Sequence, residues 1–189
     1  MDMDRTEFIK ENIKKEDLVL DIGCSEGFLH QEIFGKNVVG LDIKTAKNKE
    51  NFVKGDALFI PFKEAIFYTV VVGELMEHLE DPELFFRECK RVLKKNGVLI
   101  LTTPNKNSWV NRIFKSYQHE AHISLFDINS LRKLVSKYFS EETFFLLPYD
   151  EVSSWGSKHK KFFWVRKLLH HFLPKNLQEE IIIKCLNDR

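Results

Sequence analysis

The sequence predicts an α/β fold: a doubly wound, mostly parallel seven-stranded sheet with helices on both faces. Three observations carry this. Short apolar runs and segments of helical period alternate four times before residue 105. One run, Phe67–Val72 (FYTVVV), is β-branched, aromatic and apolar on both faces, as a strand covered from above and below must be. The acids Asp21, Asp42, Asp56 and Glu74 all lie at or just past a predicted strand end, and ligands of such sheets bind at the carboxyl ends of the strands.

Each element has its own signal. Phe8, Ile9 and Ile13 have helical spacing, so residues 5–14 read as a leading helix. Leu18–Ile22 is a short apolar strand. Residues 25–34 can form a helix that Ser25 caps. Asn37–Ile43 (NVVGLDI) is a second strand, and Asn51–Lys54 a weaker third before Gly55-Asp56. Phe67–Val72 is the fourth. Asp81-Pro82 opens a helix that runs to about Leu93: the aspartate caps it and proline suits the first helical position. Asn96-Gly97 closes that helix, and Val98–Thr103 is the fifth strand. Further on, Ile128–Tyr138 has helical period, Thr143–Leu147 reads as a sixth strand and Glu180–Leu186 as a seventh.

With 189 residues and 43% hydrophobic content, the chain suits one domain with a real core, 1–189, and no linker divides it. A net charge of +1 gives no global case for nucleic acid, although a tRNA substrate stays open. Cys24, Cys89 and Cys185 lie far apart and form no CxxC pair, which fits a reduced, cytoplasmic setting. The start MDMDRTEF is acidic and unlike a signal peptide. No apolar run approaches the roughly 20 residues that span a bilayer.

The stretch VLDIGCSEGF (Val19–Phe28) is a strand, an acid and a glycine-punctuated turn. A dinucleotide fingerprint, G-x-G-x-x-G counted from Gly23, requires glycine at 25 and 28, where Ser25 and Phe28 stand. A nicotinamide-dependent reductase is disfavoured on that ground. No GxxxxGK[ST] run exists, so a phosphate-binding P-loop is absent. What remains is D-x-G-x-x-x-G, with Asp42 closing the second strand 21 positions after Asp21 and Asp56 just past the third.

This pattern resembles the class I (Rossmann-like) S-adenosylmethionine-dependent methyltransferases. The segment GELMEHLEDPELFFRECKRVLKKNGVLILTTPN is similar to the subgroup that includes the ubiquinone-biosynthesis O-methyltransferases. AHISLFDINSLRKLV resembles the segment that follows in that subgroup and in the sugar O-methyltransferases. The resemblance covers roughly residues 15–147, the expected cofactor-binding core. It implies S-adenosylmethionine as cofactor and S-adenosylhomocysteine as product. The Gly23, Cys24, Ser25, Gly27 turn would lie against the methionine part, with Asp21 beneath it and Glu74 lining its pocket. Asp42 would accept from both ribose hydroxyls beside Ile43, and Asp56 from the adenine amine beside Ala57. Acceptor-only carboxylates suit such a donor-rich ligand. Ser25 stands where the family commonly has glycine, which ordinary backbone angles would tolerate. Any of these acids could instead be a simple turn-former.

Methyl transfer to a hydroxyl needs a base, and histidine serves near neutral pH. His122 in QHEAHISLF matches a histidine the subgroup often places over its active site, so His122 is expected as base or substrate contact, with His78 second. Either could equally make ordinary structural hydrogen bonds. Glu74, Glu77 and His78 form E-x-x-E-H, which on a helix share one face; the resemblance associates a divalent metal with such a cluster, and whether one binds stays open. Thr102–Trp109 (TTPNKNSW) is expected to border the acceptor, with Asn105 and Trp109 able to contact a sugar or an aromatic ring; equally, Pro104-Asn105 reads as a simple turn.

From Val152 to Gln178 there are Lys158, Lys160, Lys161, Arg166, Lys167 and Lys175 but no acid. Phe162, Phe163, Trp164, Leu168, Leu169 and Phe172 supply an apolar face. Residues 148–178 therefore read as a basic amphipathic cap, either packed over the acceptor or touching a membrane surface through 158–175. The expected acceptor is a small molecule, a glycan or a lipid-linked compound, methylated on oxygen. The alternative is a non-catalytic, methyltransferase-like subunit that stabilises another protein.

Overall fold

The chain is described by a computed structural model over residues 5–14, 17–25, 37–44, 51–109, 122–147, 172, 174, 177 and 180–188. The elements are α1 (Arg5–Asn12), β1 (Val19–Ile22), β2 (Val38–Asp42), β3 (Phe52–Lys54), β4 (Phe67–Gly73), a 3₁₀ turn (Met76–His78), α2 (Pro82–Val92), β5 (Leu93–Pro104), α3 (Ile128–Val135), β6 (Ser140–Leu147) and β7 (Glu180–Asn187).

The strands form one sheet in the order β3-β2-β1-β4-β5-β7-β6. The first five are mutually parallel. β7 runs antiparallel to both β5 and β6. The chain moves outward from β1 to β3, then returns to the other side of β1 as β4. That reversal between β1 and β4 is the topological switch point.

Period-two alternation sorts the strand residues onto two faces. Leu20, Ile22, Leu41, Val70, Val72, Leu99, Leu101, Ile181 and Ile183 share one core cluster with Phe85, Phe86, Cys89 and Val92 of α2 and Leu131 and Val135 of α3. Val19, Val38, Val71, Ile100 and Ile182 share the opposite one with Phe8 and Ile9 of α1. Helices thus cover both faces. The connections 26–36 and 45–50, including most of the helix expected at 25–34, lie outside the described residues.

The helix starts follow their local chemistry. Asp81 accepts from Leu84 N at 2.9 Å and Pro82 follows it. α2 buries Phe85, Phe86, Cys89 and Val92, one stripe at helical spacing. α3 carries a reciprocal cap: Ser130 N donates to Asp127 Oδ1 at 2.8 Å and Asp127 N to Ser130 Oγ at 3.0 Å.

The boundary between α2 and β5 differs most from the sequence reading. α2 ends at Val92, and Asn96-Gly97 does not close it; both lie within β5, which begins at Leu93. Phe67 pairs with Leu93 but Thr69 with Val98, so Lys94–Gly97 form a bulge. Asn96 has φ 62°. A Cβ on Gly97 would sit 2.8 Å from Lys94 O and 3.0 Å from Tyr68 O, so only glycine fits that backbone approach.

Candidate active site

Parallel register brings Gly23, Asp42, Gly55 and Glu74 to the same edge of the sheet. A cleft of about 190 Å³ opens there, lined by Ile22, Gly23, Leu41, Asp42, Ile43, Gly55, Asp56, Ala57, Leu75, His78 and Leu79. It lies at the switch point, where the turns after β1 and β4 meet.

Gly23 shows why the first turn needs glycine. Its φ is +76°, and a Cβ there would lie 3.1 Å from Leu75 Cδ2. Gly23 N donates to Leu41 O at 2.8 Å, which turns the chain over the end of β2. Ser25 departs from the sequence expectation of ordinary backbone: its φ is +49°, the left-handed region. Its amide is nevertheless used, donating to Asp42 Oδ2 at 2.8 Å. Cys24 packs its sulfur over Gly40, where a Cβ would come within 2.7 Å.

Asp42 receives a second amide, Lys44 N to Oδ1 at 2.9 Å. Both oxygens are thereby oriented, and each keeps a lone pair for another donor. Ile43 beside it is 66% exposed, an apolar face at the cleft mouth. Asp56 accepts from Leu58 N at 2.9 Å, an Asx turn that fixes its carboxylate at the cleft wall with Ala57. Asp21 is 2% exposed, in the centre of the sheet between Gly40 and Val71.

Glu74, Glu77 and His78 do not share one helical face. Glu74 has φ 51° and precedes the 3₁₀ turn, so helical spacing does not apply to it. Its backbone N donates to Thr102 O at 3.1 Å, and Thr102 Oγ1 reaches its Oε1 at 3.4 Å. Instead His122 joins Glu77 and His78: one ligand atom from each lies within 4.8 Å of the others. The His78 and His122 rings are 4.9 Å apart between centroids. Ile123 N and Ser124 N both donate to Glu77 O, at 2.8 and 3.0 Å, which draws His122 across from the far segment. Buried Glu77 accepts from Thr103 Oγ1 at 3.3 Å.

Asn105 takes the turn that the sequence offered as the alternative. It is buried, and its Oδ1 accepts from Asn107 N at 3.0 Å in an Asx turn. Trp109 is 45% exposed. Gly27 and nearly all of the 148–178 cap lie outside the described residues. Sequence reasoning missed Leu75 and Leu79, which line the cleft. Their i, i+4 apolar spacing reads as core. Among the described residues no helix is long and apolar enough to cross a membrane.

Residues 20–101 match the methyltransferase domain family. Over 127 residues, 54% of this chain, the sequence is 32% identical to a ubiquinone biosynthesis O-methyltransferase of Pelagibacter ubique. The chain spans about half the length of the curated relatives it matches, 53% for this one. A putative methyltransferase from Bacillus halodurans has the same fold, with a TM-score of 0.70, 19% identity, and 100% of this chain and 99% of that one covered. A SAM-dependent methyltransferase from Archaeoglobus fulgidus superposes with a TM-score of 0.65 at 20% identity, covering 96% of this chain and 94% of that one. Domain match, relatives and fold together show what the chain is similar to: class I S-adenosylmethionine-dependent methyltransferases, and among them the ubiquinone-biosynthesis O-methyltransferases.

Proposed function

We propose that this chain methylates an oxygen of a small-molecule, glycan or lipid-linked acceptor. The observation that supports it most is the placement of Gly23, Asp42 and Asp56 on one cleft at the switch point, with His78 lining it and His122 at ring contact with His78. The residues suit the cofactor: a glycine cradle that a Cβ would fill, two oriented carboxylates and an exposed apolar Ile43. When bound, the sulfonium supplies an already activated methyl group.

This chain's residues then bind, orient and remove a proton. Asp42 takes the ribose hydroxyls, and its two amide partners hold it at low reorganisation cost. Asp56 accepts from the adenine amine, Ile43 covers the ring, and Asp21 and Glu74 support the methionine end. His122 takes the proton that the acceptor hydroxyl gives up, and His78 beside it restrains the ring.

Replacing His122 by Asn tests this directly. S-adenosylhomocysteine affinity should stay within about twofold, while turnover of a phenolic acceptor falls by about 10²–10⁴-fold. Unchanged turnover would remove His122 from the chemistry.

The Glu77, His78, His122 grouping favours a second reading, in which the three hold a divalent metal and His122 is a ligand rather than a base. Activity that a chelator abolishes and Mg²⁺ or Zn²⁺ restores would establish it. Chelator-insensitive turnover would return His122 to the role of base.

A further inference from the structure

Asp56 and Ala57 form one wall of the cleft, yet they sit in the connection between β3 and β4, residues 55–66, which belongs to neither strand. Two side chains of α2 fasten that connection. Glu88 Oε2 accepts from Ile60 N at 2.8 Å. Arg91 Nη2 donates to Ile60 O at 2.8 Å and Nη1 to Phe62 O at 2.7 Å. The two side chains also grip each other: Arg91 Nε to Glu88 Oε1 and Nη2 to Oε2, both at 2.7 Å.

This is a planar fork–fork pair, the geometry in which arginine is least replaceable by lysine. Both backbone groups of Ile60 are satisfied by it. The chain between Ile60 and the cleft is short and turned: Phe59 N donates to Asp56 O at 3.1 Å and Leu58 N to Asp56 Oδ1. Fixing Ile60 therefore fixes the direction of the Asp56 carboxylate. Ala57 and Ile60 are buried and Leu58 and Phe62 pack against the core, while Phe59 is 69% exposed, so the hydrogen bonds of Glu88 and Arg91 add direction to a loop that packing already holds down.

We propose that Glu88 and Arg91 are positioning residues for the adenine end of the cofactor site, acting through Ile60 and Phe62 to aim Asp56 at the exocyclic amine. This rests on the cofactor reading above. It concerns residues that touch no ligand themselves.

The test uses the whole chain and two ligands, S-adenosylhomocysteine and S-inosylhomocysteine, which carries a carbonyl where adenine carries the amine. Dissociation constants are measured by calorimetry for wild type, Arg91→Met, Arg91→Lys and Glu88→Gln. Wild type should prefer the adenine form by about tenfold or more, the worth of one charge-assisted hydrogen bond. Arg91→Met should lose about tenfold for the adenine ligand and under threefold for the inosine ligand, so the preference collapses. Arg91→Lys and Glu88→Gln should fall between, and they decide the matter if Arg91→Met does not fold. Equal loss for both ligands, or an undiminished preference in the variants, would overturn the positioning role while leaving the cofactor reading intact. Wild type that binds both ligands equally would overturn it at Asp56. Wild type that binds neither would overturn the cofactor reading itself, and the positioning role with it.

Discussion

The backbone N–H of Ser25 donates to Oδ2 of Asp42 at 2.8 Å, across 17 positions of sequence. The turn after β1 and the acid that ends β2 are thereby one unit before any ligand enters. The unit is strained at one point, since Ser25 sits at φ +49°. A left-handed residue with a Cβ costs about 1–2 kcal/mol, and a β-branched one tolerates it worst. Ser25→Val should therefore be about 1–2 kcal/mol less stable than Ser25→Gly in urea unfolding. Ser25→Gly should keep its S-adenosylhomocysteine affinity. Equal stability of the two variants would mean the turn adopts another conformation in solution.

Asn187 holds the junction of α2 and β5. Its Nδ2 donates to Leu93 O and Lys94 O at 3.1 Å and approaches Lys90 O at 3.5 Å, and the residue is buried. Asn187→Ala should cost about 1–3 kcal/mol, because the carbonyls lose their donor inside the protein. At about 2–4 °C per kcal/mol for a chain of this size, thermal unfolding should show a fall of several degrees. A fall below one degree would mean water replaces the amide.

Glu88 predicts a pH dependence. The Arg91 hydrogen bond holds its carboxyl below the ordinary value, helped by Ile60 N and opposed by burial. A depressed folded pKa gives stability that is complete above the unfolded value of about 4.3 and disappears as pH falls through the folded one. Glu88→Gln should thus be about 1–3 kcal/mol less stable than wild type at pH 7. The two should converge as the pH drops below about 4. Urea midpoints along that series check it; a difference that stays constant with pH would show that the charge is irrelevant.

The sheet was legible because its signals are local. Alternation, strand-end acids and Asp81-Pro82 each act within a few residues. Asn96-Gly97 misled because a left-handed residue with glycine marks a helix end and a strand bulge alike. Glu74 misled because a positive φ interrupts the helical count on which the E-x-x-E-H face depends. The meeting of His122 with His78 was expected only at the level of the same site. It depends on Ile123 and Ser124 bonding Glu77 O, a contact no spacing rule contains. Arg91 is the same case: its partners Ile60 and Phe62 lie 31 and 29 positions away. Tertiary contact, not sequence period, built those parts of the site.

The function of this cleft turns on S-adenosylmethionine being held through Asp42. Calorimetric titration of S-adenosylhomocysteine, with NAD⁺ as the control ligand, into wild type and Asp42→Ala tests it most directly. S-adenosylhomocysteine alone should bind saturably, weakened at least about tenfold in Asp42→Ala by the loss of the ribose acceptor. Binding of NAD⁺ in its place, or an Asp42→Ala protein that binds S-adenosylhomocysteine as tightly as wild type, would contradict it.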